Sequence, residues 1–117
     1  MKISKHFDRS ELACKCGGCT QDTVDVVLIG YLEQVREHFN QPVTITSGNR
    51  CIWHNERVGG TGSSQHLFGR AADIIVRGTD PEDVANFLED IVEGGLGRYP
   101  TFTHLDSRNG KARWSGA

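Results

Sequence analysis

The sequence lacks the features that would place the protein in a membrane or on a nucleic acid. Its longest apolar runs fall well short of the roughly 18 residues that a helix needs to cross a bilayer. The formal net charge is -2 at pH 7, and no Lys/Arg cluster is interleaved with aromatic residues. We therefore expect neither a membrane nor a nucleic acid as a partner. The opening stretch, MKISKHFDRSELA, also lacks the apolar core of a secretory signal peptide.

Internal repeats and candidate linkers are also lacking. A chain of 117 residues suits one domain with a single hydrophobic core. We therefore predict one domain over residues 1–117, and we expect a monomer. Apolar residues make up 37% of the chain and charged residues 24%. Because that balance is ordinary for a globular protein, the fold has to be inferred from patterning.

Cysteines are few, and three of the four crowd into the stretch CKCGGC. These three are Cys14, Cys16 and Cys19, and the fourth is Cys51. Such crowding without a recognisable leader argues against an ordinary secreted disulfide framework. Two interpretations stay open. In the first, the thiols are reduced with at most one disulfide. In the second, they form a structural zinc site in which Cys51 is the distant fourth ligand.

Apolar periodicity predicts two long helices, one over residues 22–40 and one over 80–92. Asp22 can cap the first, and the second has Asp80 as its cap and Pro81 at its first position. PVTITS and AADIIV predict strands, while GRYPTFTHLDSR and KARW predict two more, joined by the turn RNG. A further short helix is predicted at CIWHNERV. This order predicts an α+β fold with helices packed on a mostly antiparallel sheet.

The stretch SSQHLFGRAADI, residues 63–74, contains a candidate metal half-site. His66 precedes a predicted strand, and Asp73 lies inside its apolar run, where a buried carboxylate needs a partner. The six residues between them can fold back so that both side chains reach one ion. Asp73 has alternatives, because it could pair with Arg70 or Arg77 or accept backbone N–H bonds. The spacing alone is weak support.

A catalytic zinc ion usually has three protein ligands and one open position, and His104 is the candidate third ligand. On a strand, His104 and Asp106 point to the same face, so Asp106 could sit beside the ion or hold an imidazole. The alternative for His104 is a polar residue that faces solvent. Arg50 follows the first predicted strand and could offer its guanidinium to a substrate carboxylate or an oxyanion. Otherwise it is a surface residue after a turn.

Taken together, ITSGNR, HNERVGG, SSQHLFGRAADI and FTHLDSR resemble the M15 zinc peptidases, in particular the D-alanyl-D-alanine carboxypeptidase subfamily. Close relatives of that type are often encoded by bacteriophages and prophages. The resemblance runs from HFDRSELAC to RWSG and covers nearly the whole chain. Its most specific part is the pattern S-x-H-x-x-G-x-A-x-D combined with a downstream H-x-D.

The resemblance implies the α+β fold shared with the hedgehog signalling domain, and a zinc ion held by His66, Asp73 and His104. It implies that Arg50 binds the terminal carboxylate of the substrate or polarises its carbonyl, and that Ser64 helps to shape the metal loop. The implied activity is zinc-dependent hydrolysis of peptidoglycan stem peptides. Members cut at D-Ala-D-Ala or, in a sister group, at L-Ala-D-Glu.

The general base is not assigned by the resemblance. Well-studied members carry an acidic residue or a His two or three positions before the last zinc ligand, where this chain has Thr101 and Phe102. Neither accepts a proton at neutral pH. Asp106 is the nearest substitute in sequence, and His54 and Glu56 are others. A zinc-containing cell-wall binding module without catalysis, on a phage or prophage particle, therefore stays open. We expect the protein to be cytoplasmic until released, or virion-associated, and to act on the cell wall.

Overall fold

The computed structural model of the protein describes residues 2–15, 25–50 and 65–116. The described helices are α1 (Arg9–Leu12), α2 (Val26–Phe39) and α3 (Pro81–Glu89), and a 3₁₀ turn spans Gln65–Phe68. The described strands are β1 (Val43–Ser47), β2 (Ala71–Val76), β3 (Gly95–Arg98), β4 (Thr103–Asp106) and β5 (Ala112–Ser115). None of the helices in these ranges is long and apolar enough to cross a membrane.

The five strands form one sheet in the order β1-β2-β4-β3-β5. Neighbouring strands are antiparallel, except that β5 runs parallel to β3. Alternate residues of the strands pack with α2 and α3 in one hydrophobic core. The predicted α+β fold, with helices on a mostly antiparallel sheet, is confirmed. The core residues of the central strands and the two helices include Ala72, Ile74, Leu96, Leu105, Leu28, Leu32, Val84 and Leu88.

The described helices begin at polar caps. Asp25 accepts a hydrogen bond from the backbone N–H of Leu28, so α2 begins at Val26. The predicted cap Asp22 lies outside the described residues. Asp80 caps α3, and Pro81 occupies its first position, as predicted. That helix ends at Glu89, three residues before its predicted end at position 92. The short helix predicted at residues 51–58 lies outside the described residues.

The predicted pairing at the end of the chain is wrong. The stretch GRYPTFTHLDSR is not one strand, because its residues belong to β3 and β4, which pair with each other around a turn at Tyr99–Phe102. β5 then pairs with β3 instead of forming a hairpin with β4. Arg113 accounts for this placement, since its guanidinium donates to the carboxylate of Glu89 and to the carbonyl oxygens of Val92 and Gly94. These bonds fasten β5 to the end of α3, next to β3.

The N-terminal segment is fastened to α2 through one carboxylate. Glu33 accepts hydrogen bonds from the Ser4 hydroxyl, the His6 backbone N–H and the His6 ring. Burial acts to raise the pKa of Glu33, but these hydrogen bonds outweigh it and hold the pKa below its ordinary value. Such a carboxyl stabilises the fold above its unfolded pKa, and the stabilisation is lost as the pH falls through the folded value.

We expect Glu33→Gln to lower the free energy of unfolding at pH 6 by about 1 kcal/mol, because the bonds to a charged acceptor are weakened. The difference from the parent protein should shrink as the pH falls below about 4.3, where the carboxyl of the unfolded chain takes up its proton, and should vanish once the pH passes the lower folded pKa. Urea unfolding at pH 6 and pH 3 measures both. The control is Glu37→Gln, an exposed change on the same helix. A difference that stays constant with pH would contradict the expectation.

Candidate metal centre

One row of residues across the sheet places two of the candidate ligands. The register pairs Ser47 with Asp73, Asp73 with His104, His104 with Gly97, and Gly97 with Trp114. Residues directly opposite each other on neighbouring strands share a face. Asp73 and His104 therefore lie side by side, on the face of the sheet that points away from the helices.

The third candidate, His66, comes from the 3₁₀ turn just before β2. Its backbone carbonyl accepts a hydrogen bond from Arg50 N at 2.9 Å. Its ring Nδ1 lies 2.7 Å from the carbonyl oxygen of Gly48. Because a carbonyl oxygen only accepts hydrogen bonds, Nδ1 carries the proton and Nε2 is the ligand atom. Gly69, with φ +68°, turns the chain after His66 so that β2 can start and bring Asp73 back.

The ligand atoms of His66, Asp73 and His104 all lie within 4.8 Å of one another, and all three residues are buried. Asp73 Oδ1 is 2.9 Å from His104 Nδ1 and 3.3 Å from His66 Nε2. Two imidazole nitrogens and one carboxylate oxygen form a donor set typical of catalytic zinc. The His66 hydrogen bond to a backbone carbonyl is the kind of outer contact that orients a ligating imidazole. The chemistry of the group therefore fits zinc.

Asp106 lies behind His104 and is fully buried. Its Oδ2 is 2.8 Å from His104 Nε2, the ring nitrogen that faces away from Asp73. Its Oδ1 accepts from Gly95 N, and the Arg108 guanidinium donates to both carboxylate oxygens. Of the two roles predicted for Asp106, holding an imidazole fits these contacts. The role of general base does not, because the carboxylate lies on the far side of the ring from the candidate ligands.

Arg50 lies at the edge of the group. Its Nη2 is 3.4 Å from Asp73 Oδ2, and its Nε donates to the hydroxyl of Ser47 at 3.1 Å. Burial lowers the pKa of Arg50, and the negative charge of Asp73 partly offsets this. A guanidinium stays protonated under any such shift. The structure thus places a fixed cation beside the three candidate ligands.

The sequence model of the Peptidase M15 family matches residues 5–106. The chain belongs to the M15 peptidase family. M15 peptidases are zinc-dependent metallopeptidases, and His66, Asp73 and His104 all lie within the matched region. The resemblance seen in the sequence is thereby confirmed at the level of the family. No curated protein matches the chain.

The surroundings of Asp73 in this M15 peptidase favour the ionised form of its carboxyl, which is the form that binds a metal. Burial acts to raise the pKa of Asp73, but hydrogen bonds with His104 and His66 outweigh burial and hold the pKa far below its ordinary range. Burial acts to lower the pKa of His104, while Asp106 and Asp73 raise it. Two carboxylates thus face one imidazole from its two nitrogens, and the centre attracts positive charge.

Sequence reasoning missed three residues around the centre. Arg108 holds Asp106, and Gly95 leaves room for that carboxylate, since a Cβ there would lie 2.3 Å from Oδ2. Trp114 contacts His104, with ring centroids 5.1 Å apart. The glycines of GLGR carried a usable signal, because a glycine inside a strand often marks the close approach of another group. Arg108 and Trp114 carried none that separates them from ordinary surface residues.

Several predicted residues lie outside the described parts of the chain. Of the cysteines, Cys14 is described and is half-buried, so both interpretations of the cluster stay predictions. Counting zinc per chain before and after thiol modification separates them. The predicted residues outside the described ranges are Ser64, Cys16, Cys19, Cys51, His54 and Glu56.

We expect His66→Ala and Asp73→Ala each to abolish zinc binding at this centre, because either change leaves two ligands. Metal content per chain, measured by mass spectrometry after dialysis against zinc, checks this. The matched control is His38→Ala, which removes an exposed imidazole on α2 that stacks on Phe87. Equal zinc content in Asp73→Ala and the control would contradict the ligand assignment.

Proposed function

We propose that this M15 peptidase is a zinc-dependent D-Ala-D-Ala carboxypeptidase that acts on peptidoglycan stem peptides. The observation that carries the proposal is the buried group of His66, Asp73 and His104 with Arg50 at its edge. Family membership supports the metallopeptidase chemistry. The resemblance of the four sequence stretches to the carboxypeptidase subfamily supports the substrate.

The residues assigned to the metal are His66 through Nε2, Asp73 through its carboxylate and His104 through Nδ1. A zinc ion held there supplies Lewis acidity, which polarises a carbonyl oxygen and acidifies a water molecule. The bond from His66 Nδ1 to the Gly48 carbonyl orients the ring and leaves Nε2 as the nitrogen that faces the metal position. Asp106 orients His104 through the opposite nitrogen and so acts as a positioning residue.

Arg50 is assigned to the substrate. A carboxypeptidase has to recognise a terminal carboxylate one residue away from the bond it cuts, and a guanidinium binds a carboxylate with two parallel hydrogen bonds. Arg50 is held by Ser47 and Asp73, so its orientation is set before the substrate arrives. A preorganised cation of this kind also stabilises negative charge that develops on the carbonyl oxygen.

The proton acceptor stays unassigned, and the sequence candidates besides Asp106 are His54 and Glu56, which lie outside the described residues. Asp106 is a poor candidate for this role, because its carboxylate is already hydrogen-bonded to His104 and Arg108. The same observation favours a second function, a cell-wall binding module that holds zinc and peptide without cutting. Such a module needs the ligands and Arg50 but no base.

Incubating the zinc-loaded protein with a purified stem pentapeptide tests the proposal. We expect release of free D-Ala, detected by mass spectrometry, and none from protein stripped of metal with a chelator. Cleavage at L-Ala-D-Glu instead would place the protein in the sister group. Binding of the peptide without any cleavage would contradict the enzyme and support the binding module.

We expect Arg50→Ala to lower kcat/KM by roughly 10- to 100-fold, the loss of a charge-assisted hydrogen bond to substrate, while zinc content stays unchanged. The control is Arg77→Ala, an exposed arginine just after β2. Steady-state kinetics on the pentapeptide measure the effect. If the two variants cleave at the same rate, Arg50 does not bind the substrate.

Asp106→Asn separates the two roles predicted for this residue. As a positioning residue, its loss should weaken zinc binding by roughly 10- to 100-fold, the usual effect of removing an outer partner of a ligating histidine. As a general base, its loss should leave zinc affinity intact and abolish turnover. We expect the first result, measured as the zinc dissociation constant by competition with a chelator. Unchanged zinc affinity with lost turnover would overturn the positioning role.

A further inference from the structure

Trp114 reaches the metal centre because the residue between them has no side chain. Gly97 stands between His104 and Trp114 in the same row of the sheet. A Cβ on Gly97 would lie 2.6 Å from the indole Nε1 and 2.7 Å from Cε2 of Trp114. The indole therefore occupies the space above Gly97, and its ring centroid lies 5.1 Å from that of His104.

The indole is held in this place by two further contacts. Its Nε1 donates to the Tyr99 hydroxyl at 2.9 Å, and Tyr99 is itself stacked on Phe102. The guanidinium carbon of Arg108 lies 5.1 Å from the centroid of the indole ring. A satisfied N–H and a cation–π contact fix an aromatic ring more firmly than apolar packing alone.

The residues that Trp114 contacts are linked to one another. Arg108 donates to Asp106, and Asp106 is hydrogen-bonded to His104 Nε2. The indole thus packs against Arg108 and His104, the two residues that Asp106 joins by hydrogen bonds. Asp106 is 0% exposed and His104 is 8% exposed, so little water reaches the bond between them. A buried charged hydrogen bond is stronger when water is kept away.

We propose that Trp114 is a positioning residue for His104, and that the indole seated over Gly97 sets the affinity of the centre for zinc. The inference rests on the assignment of His104 as a zinc ligand in the proposed function. It extends the centre to β5, which lies beyond the residues that the family model matches. The last strand of the sheet then completes the metal centre from outside the matched region.

The test measures the zinc dissociation constant of the full chain by competition with a chelator, well below the unfolding temperature of each variant. Trp114→Ala should weaken zinc binding by roughly 10- to 100-fold, as for other outer partners of a ligating histidine. Trp114→Phe keeps a ring and should lose less. The control is Ser115→Ala, an exposed change on the same strand.

Gly97→Ala gives an independent measurement with Trp114 intact. Its methyl group would displace the indole, so zinc binding should weaken as in Trp114→Ala. In the double variant Gly97→Ala/Trp114→Ala, the glycine change should cost nothing further, because no indole is left to displace. The ring ¹⁵N signals of His104 in the zinc-loaded protein should shift in Trp114→Ala and in Gly97→Ala but not in the control.

Zinc affinities of Trp114→Ala and Gly97→Ala equal to that of the parent would overturn the inference. So would fully additive losses in the double variant, which indicate two unrelated effects on the sheet. If Trp114→Ala does not fold, Trp114→Phe and Gly97→Ala decide the matter alone. A parent protein that binds no zinc overturns this inference and the proposed function together. The expected pattern of affinities supports the inference even without D-Ala release, which would count against the proposed hydrolysis only.

Discussion

The candidate centre depends on the position of His104 between two carboxylates. Asp73 meets one ring nitrogen at 2.9 Å, and Asp106 meets the other at 2.8 Å. The sheet register makes this possible, because it sets Asp73 directly opposite His104 and puts Asp106 two residues further along β4 on the same face. A shift of β4 by one residue in that register would turn His104 and Asp106 into the apolar core and away from Asp73.

The two faces of the sheet differ in the side chains that they carry. The face toward α2 and α3 is apolar and fully buried, and it supplies the hydrophobic stabilisation of the domain. The other face carries charged groups that are costly to bury unless they are paired. Small residues make that pairing possible. Ala71 and Gly95 flank Asp106 in the neighbouring strands, and Gly97 leaves the space that Trp114 fills.

The metal ligands and their supporting residues come from different kinds of structure. Asp73 and His104 stand on β2 and β4, each paired with a strand on both sides, whereas His66 stands on a short turn held through Gly48 and Arg50. Hydrogen bonds from the backbone compensate for the shortness of that turn. Arg113 does the same for β5, since its bonds to the end of α3 bring Trp114 next to the centre. Rigid support of this kind is what a preorganised site requires.

The sequence by itself determined the fold class, the existence of the two long helices and the cap of α3, and it made His66 and Asp73 candidate partners, because periodicity, capping and local spacing are properties of neighbouring residues. It also pointed to the M15 family through those stretches. Only the tertiary structure decided that β5 pairs with β3, that Asp106 stands behind His104, and that Trp114 and Arg108 belong to the centre. These facts depend on strand order and register, which arise from contacts between residues far apart in the chain, and no local pattern encodes them.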